Sequence, residues 1–533
     1  MARERSELIL ADIIAVRAER NPDSAVLTFE CAERDDEART FAELAERGNR
    51  LAAALISRGL ERGDRFGLMM RNHPEFVEAM IAASTSGTVF VPIDPRTKRE
   101  KLAYTLRNSG CKTMVIADYN LGQLEEVRGD LPDLAHLLVL ESGEGGAPPI
   151  SEFAGVDSLD EVLRKPVPTV DVRLQSPLDP LQIIYTSGTT GDPKGVVMEN
   201  GRYGGMAFLG RVIFGFGPDE KVYTGLSLTH GNAQAVTLAN ALCLEVPGVI
   251  SRRFTKSRLW DICRKHGCTT FSLLGGMATA IYSEAEKEND ADNPVRMVTS
   301  AGMPRAIWES FEKRFDLQIL EWYGAVEGGL AYKPIGQGPM GSFGKPAPGL
   351  EMKILDEQDN ECGPGVMGEV CSRPATGESA KVEYFENPDA SEKKTRGGWL
   401  RSGDIGHADE EGWLFFDYRK GGGIRHNGDF INPGFVEKVI AEHPDVSDVF
   451  VYGIPAASGA PGEKDVVAAI VAAPGRTIDP ESVFEACREG LESNFVPSYL
   501  QVLPEIPKTA SEKPQERFLL ERFAPDGVGV HAS

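Results

Sequence analysis

Between residues 65 and 118, short apolar runs alternate with amphipathic stretches: RFGLMM, PEFVEAMIAAS, TVFVPID, REKLAYTLRNSG and KTMVIAD. A chain with this rhythm has few ways to hide its apolar surface. The strand-like runs must pair and the helices between them must cover the faces, which predicts a layered α/β domain. The alternation returns at 181–185, 221–226, 247–250, 269–274 and 295–299. Ahead of it, TFAELAERGNRLAAALISRGL (40–60) predicts an amphipathic helix capped by Thr40 and closed by Gly59. Residues 141–180, rich in Gly, Pro and acidic side chains, read as a surface excursion.

From residue 341 the texture changes to short strands with Gly and Pro turns. Past Gly423 a smaller α+β unit follows: INPGFVEKVIAEHP as a helix, DVFVYGIP and DVVAAIVAAP as strands, ESVFEACREGLES as a helix. At 533 residues the chain is too long for one ordinary core. The natural boundary is Arg419–Gly423, where three consecutive glycines free the backbone. The expected domains are therefore 1–419 and 420–533, a large multi-layer domain followed by a small mobile α+β one.

The strongest chemical signal follows the apolar run LQIIY. It is YTSGTTGDPKGV, residues 185–196, a loop of small hydroxyl residues and glycines. Glycines let backbone N–H groups approach phosphate oxygens, Thr186, Ser187, Thr189 and Thr190 add donors, and Lys194 adds charge. Gly188 and Gly191 supply the close approach. The spacing is not that of a Walker A loop. A Gly/Ser/Thr loop by itself is more often a flexible turn; twelve residues of this composition behind a buried strand argue otherwise.

This loop resembles the phosphate loop of the ANL superfamily of adenylate-forming enzymes, and further family motifs follow in order. SAGMP (300–304) resembles the segment lining the adenine pocket, implicating Ala301 and Gly302. WYGAVEGG (322–329) resembles the family's YG-x-TE, so that Trp322, Tyr323, Gly324, Ala325 and Val326 would line the nucleotide site. The resemblance implies that Tyr323 stacks on adenine and Glu327 holds Mg²⁺. GWLRSGDIG makes Asp404 the acceptor for the ribose hydroxyls, Arg419 its companion, and PKTASEKPQ makes Lys513 the catalytic lysine. His230, Gly275, Gly276, Met277 and Gly324 fall where the family builds its acyl pocket. His426, Asn427 and Gly428 fall near the coenzyme A tunnel, and Lys420 and Gly421 at the hinge. Each residue alone has a blander reading: Asp404 a turn aspartate, Lys513 a solvated surface lysine, Glu327 a surface acid, His230 a core histidine. Their ordered co-occurrence overturns the first three, while His230 stays evenly balanced.

The chain departs from the family at four points. Val326 replaces a Thr whose hydroxyl touches the α-phosphate, a bond worth roughly 1.5–3 kcal/mol. Glu512 replaces the Gly before the catalytic Lys, Gly421 stands at the hinge in place of Asp or Lys, and Asn427 replaces the first glycine of a pair. Gly324 stands where acetate-type enzymes carry a blocking Trp, leaving room for a larger acyl group.

The expected activity is that of an AMP-forming acyl-CoA ligase acting on an acid larger than acetate, with ATP, Mg²⁺ and coenzyme A. A weaker resemblance points to crotonobetaine/carnitine-CoA ligases, although a quaternary ammonium wants an aromatic cage that Trp322 alone does not make. A luciferase-like oxygenase and a weakly active nucleotide-binding regulator are the alternatives. The net charge of −23 argues against nucleic acid as a partner. There is no apolar run long enough to span a membrane and no signal-peptide core, so a cytoplasmic protein is expected, with a homodimer left open. Cys263, His266 and Cys268 form the one stretch with metal-ligand character; lacking a fourth ligand, they read as ordinary core and surface residues.

Overall fold

The helix Phe41–Ser57 begins where the sequence requires it to begin. Thr40 accepts from the Glu43 backbone N–H while the Glu43 side chain accepts from the Thr40 N–H, a reciprocal capping box, and Gly59 ends it at φ +82°. Its apolar stripe of Phe41, Leu44, Leu51, Ala52 and Leu55 is buried. The computed structural model describes every residue except 1–3, 33, 187–192, 421–423, 427–428, 432, 458–463, 492 and 510–511.

The chain forms two compact, discontinuous units. The first comprises residues 1–272, 294–299 and 381–393; the second comprises 273–293, 300–380 and 394–533. In the first, a seven-stranded sheet runs Val156–Ser158, His136–Leu140, Cys111–Ala117, Arg65–Met69, Val89–Pro92, Pro180–Thr186, Lys194–Glu199. All neighbours are parallel except the last pair. Met69, Val91, Ile116, Val139 and Ile183 share one core on this sheet. Strands Ala25–Glu30, Val222–Thr224 and Gly248–Ser251 build a second parallel set in the same unit.

The expectation for 141–180 needs correcting. Residues 156–158 are the edge strand of the seven-stranded sheet, and Leu159–Arg164 is a helix capped by Ser158 with Leu159 and Leu163 buried. One short apolar pair per turn was too weak a periodic signal against a Gly/Pro-rich background.

In the second unit, seven strands from Gln318 to Arg419 form a continuous antiparallel run. The chain's C-terminal part adds a four-stranded sheet, Val446–Pro455, Lys464–Ala472, Tyr499–Leu503 and Val530–Ala532. The helices Pro433–Ala441 and Pro480–Gly490 share its core through Val436, Ile440, Val483 and Phe484. The strand Tyr499–Leu503 went unnoticed in the sequence because PSYLQVLP is bracketed by prolines. The α/β architecture with a large N-terminal and a small C-terminal part is as expected.

Candidate active site

The strand Gln318–Ala325 pairs with Gly328–Lys333 through a tight hairpin. Gly328 at φ +137° and Gly329 at φ +75° make that reversal possible; side chains rarely tolerate either angle. Alternation along the strand sends Glu321 and Tyr323 to one face and Trp322 and Gly324 to the other. The Tyr323 ring stacks on Phe343, centroids 4.5 Å apart, and its hydroxyl donates to Asp404 Oδ2 at 2.6 Å. Asp404, only 5% exposed, sits opposite Arg419 in the strand register, with Nη1 3.0 Å from Oδ1. Burial, and then the Asp404 charge, push the Tyr323 hydroxyl well above its ordinary pKa, so it stays a donor.

Glu327 lies at the hairpin turn, with Lys394 Nζ 3.8 Å away. Among the described residues no cluster of three or more His, Cys, Asp or Glu side chains is arranged to hold an ion unaided. Mg²⁺ that arrives on a nucleotide needs only one or two protein carboxylates, and Glu327 fits that role. His266 of the cysteine stretch instead faces Asp36 at 3.2 Å.

Lys513 stands on a turn closed by its own backbone. Thr509 N–H donates to the Lys513 carbonyl at 2.8 Å, and Lys513 N–H donates to Thr509 Oγ1 at 3.1 Å. Glu512 holds φ +59°, the left-handed conformation, which is the physical reason for a glycine at this point in the family. A Cβ on Gly276 would lie 3.1 Å from the Glu512 carbonyl, so the turn is seated closely against that glycine. Lys513 keeps solvent-accessible surface, yet crowding by protein lowers its pKa. Arg419 adds repulsion, and Asp404 and Glu327 oppose the shift. The structure thus brings Tyr323, Glu327, Asp404, Arg419 and Lys513 into one electrostatic neighbourhood.

The remaining candidates separate. Thr186, Lys194 and His230 belong to the first unit. Thr186 Oγ1 donates to the Lys194 carbonyl at 3.4 Å, and Lys194 Nζ lies 5.6 Å from the Tyr384 ring centroid. His230 Nδ1 accepts from Asn232 N–H at 3.2 Å, which places the proton of a neutral ring on Nε2. Ser187, Gly188, Thr189, Thr190, Gly191, Gly421, Asn427 and Gly428 lie outside the described residues. Gly275 and Gly302 are in close backbone contact: a Cβ on Gly275 would fall 2.3 Å from the Gly302 carbonyl oxygen. Met277 is buried. Lys420 N–H donates to the Gly403 carbonyl at 2.7 Å, and His426 Nδ1 lies 2.7 Å from the Lys464 carbonyl.

Three features escaped the sequence reading. Phe343 backs Tyr323, Lys394 faces Glu327, and the Trp322 ring covers Gly324, where a Cβ would meet Trp322 Cζ3 at 2.9 Å. Phe343 sits at the start of the stretch of short strands and Gly/Pro turns that begins at residue 341. The other two depend on packing that no spacing encodes.

An aromatic platform, a buried carboxylate beside an arginine, and a second carboxylate and a lysine near them are features of a nucleotide-using α/β enzyme. The chain belongs to the AMP-binding enzyme family, whose model matches residues 14–377; a second model, the AMP-binding enzyme C-terminal domain, matches residues 436–513. The crotonobetaine/carnitine–CoA ligase of Salmonella arizonae is 27% identical over 500 residues, covering 92% of this chain and 95% of that protein. Among solved structures, an anthranilate CoA ligase in complex with anthranoyl-AMP superposes with a TM-score of 0.83 at 22% identity, covering 96% of each chain. An O-succinylbenzoate coenzyme A synthetase from Bacillus subtilis, in complex with ATP and magnesium, gives a TM-score of 0.77 at 23% identity, covering 94% of this chain and 98% of that one. These two likenesses speak for the fold. Among the described residues no helix is long and apolar enough to cross a membrane.

Proposed function

We propose that this protein is an AMP-forming acid–CoA ligase that activates a carboxylic acid larger than acetate. The observation that carries the reading is the convergence of Lys513 with Glu327, Asp404 and Arg419 around the Tyr323 platform. One face of the Tyr323 ring rests on Phe343, leaving the other for a purine. Asp404 accepts from the ribose hydroxyls, its orientation fixed by Tyr323 and Arg419. Thr186, Lys194 and the loop between them hold the phosphates.

The acid's carboxylate attacks the α-phosphorus in line, forming the acyl–phosphate bond as the bond to pyrophosphate breaks. Lys513 neutralises the charge that builds on the attacking and α-phosphoryl oxygens. Glu327 would hold magnesium, which would supply further charge neutralisation as pyrophosphate leaves. Coenzyme A then attacks the acyl carbon through its thiol, and AMP leaves with the electron pair of the acyl–oxygen bond. We take residues 420–533 as the part that moves between the two steps, turning at Lys420–Gly421 and withdrawing Lys513 while His426, Asn427 and Gly428 approach. The boundary at Arg419–Gly423 falls between the two matched family regions. We assign Gly275, Gly276 and Met277 to acyl binding, with Trp322 lying over Gly324, and keep His230 as a candidate for the same role from its place in the sequence. A cytoplasmic homodimer is the assembly to test by light scattering.

The deciding experiment is ATP–pyrophosphate exchange with a panel of acids. Exchange should require the acid and Mg²⁺ but not coenzyme A, and AMP release should require all three. Exchange that strictly needed coenzyme A would sink the scheme, and oxygen uptake without thioester would favour the oxygenase alternative.

A further inference from the structure

Glu321 lies two residues before the Tyr323 platform and is 3% exposed. A buried carboxylate normally has a cation beside it, because desolvating a charge costs several kcal/mol. Among the described residues none pairs with it directly. Lys333 is its partner in the strand register, yet its ammonium lies over the Trp308 ring, 4.6 Å from the centroid. What Glu321 has instead is backbone. Oε1 accepts from Gly302 N–H at 2.5 Å and from Met303 N–H at 3.2 Å, and Oε2 lies 3.2 Å from the same Met303 nitrogen. Gly302 is held at φ +93°, and its carbonyl oxygen lies where a Cβ on Gly275 would collide. A turn this constrained, tied to one buried carboxylate, has its shape set by that carboxylate.

We propose that Glu321 is a positioning residue for ATP: its carboxylate clamps the Gly302–Met303 backbone in the shape that receives the adenine. The inference rests on reading Ala301 and Gly302 as nucleotide-lining residues, and extends it to a side chain that need not touch the nucleotide. The charged group facing Glu321 is Lys333, with Glu312 acting on Lys333 from the neighbouring helix, and the Ser300 hydroxyl is the other polar neighbour. Burial raises the carboxyl to about 7, against the stabilising pull of Gly302, Ser300, Met303 and Lys333. Ionised, both oxygens serve as acceptors; protonated, one becomes a donor facing an N–H, and the clamp loosens. The clamp therefore holds above about pH 7 and weakens below it.

The test compares Glu321→Gln and Glu321→Asp with the wild-type enzyme. Steady-state kinetics are run from pH 6 to 8.5, and hydrogen exchange is followed at the amides of 302 and 303. In the wild type the KM for ATP should rise several-fold as the pH falls below about 7. Glu321→Gln should raise that KM about tenfold at pH 8, change kcat far less, and flatten the pH dependence, because its NH₂ faces an N–H at every pH. Glu321→Asp, which keeps the charge but is one methylene shorter, should retain the pH dependence. Glu321→Gln should lose amide protection at 302 and 303, and Glu321→Asp should keep part of it. Unchanged protection in Glu321→Gln overturns the clamp itself. Lost protection with an unchanged KM for ATP overturns the link to the nucleotide. If the wild type shows no acid-dependent pyrophosphate exchange at all, the functional reading has failed and not the clamp, which the exchange data report independently.

Discussion

The indole of Trp322 lies over Gly324, two residues along the same strand face, so closely that a Cβ on the glycine would come within 2.9 Å of Cζ3. The space that a larger side chain at 324 would fill is therefore already occupied from within the strand. Gly324 leaves room for Trp322 before it leaves room for substrate.

This relationship changes what substitution at 324 should do. Gly324→Trp has nowhere to go while Trp322 is present, and overpacking of this kind typically costs about 1–3 kcal/mol. It should lower the melting temperature and depress activity toward every acid. Trp322→Ala should instead raise kcat/KM for bulky acids relative to small ones by about 10-fold or more, since each methylene of pocket space is worth roughly that factor. Gly324→Trp placed on the Trp322→Ala background should reverse the gain. The measurement is CoA-dependent AMP release over a homologous series of acids. An unchanged ratio in Trp322→Ala would remove Trp322 from the acyl pocket.

Lys513→Ala should slow adenylation by about 10²–10³, or about 3–4 kcal/mol of barrier, through loss of one preorganised charge. Thioester formation from synthetic acyl-adenylate and coenzyme A should be nearly unaffected. Equal impairment of both steps would refute the domain movement, and impairment of neither would reduce Lys513 to a surface charge.

Glu512 tests the backbone under that lysine. Its left-handed φ of +59° costs an ordinary side chain about 1–2 kcal/mol and glycine nothing. Glu512→Gly should therefore be more stable than Glu512→Ala by about 1 kcal/mol, read by thermal unfolding. The opposite order would mean that the turn relaxes to another conformation once Glu512 is gone.

Stability should carry a pH signature from Glu437, on the helix Pro433–Ala441, whose Oε1 accepts from Val451 N–H at 2.9 Å. Burial raises this carboxyl to about 7, and Asp448 adds to the shift. The folded state thus holds the proton more tightly than the unfolded chain, whose carboxyl ionises from about pH 4.5. Stability from this group is fully present below that value, declines as the pH rises toward 7, and levels off above. Glu437→Gln keeps the acceptor and loses the titration. Its melting temperature minus that of the wild type should climb between pH 5 and 7.5; a flat difference would show that the carboxyl titrates normally.

Much of the proposed chemistry was suggested by residue order alone. Motifs from Tyr185 to Lys513 suggest phosphate, adenine, ribose and lysine functions because each would depend on a short local pattern. The pattern survives in sequence since a glycine, a hydroxyl or a carboxylate must stand at a fixed place in a loop. The capping box at Thr40 and the strand–helix alternation from 65 to 118 were legible for the same reason: their causes lie within a few residues. Tertiary structure decided what depends on partners far along the chain. Only packing joins Tyr323 to Asp404, lays Trp322 across Gly324, and turns Lys333 toward Trp308 so that Glu321 is left to the backbone of Gly302 and Met303. It likewise recruited 156–158 into the sheet and folded 159–164 as a helix, where burial of Leu159 and Leu163 outweighed a composition that reads as loop. Burial is a property of the whole fold, and a carboxylate's pKa or a glycine's clearance follows from burial, so neither can be read from neighbours in sequence.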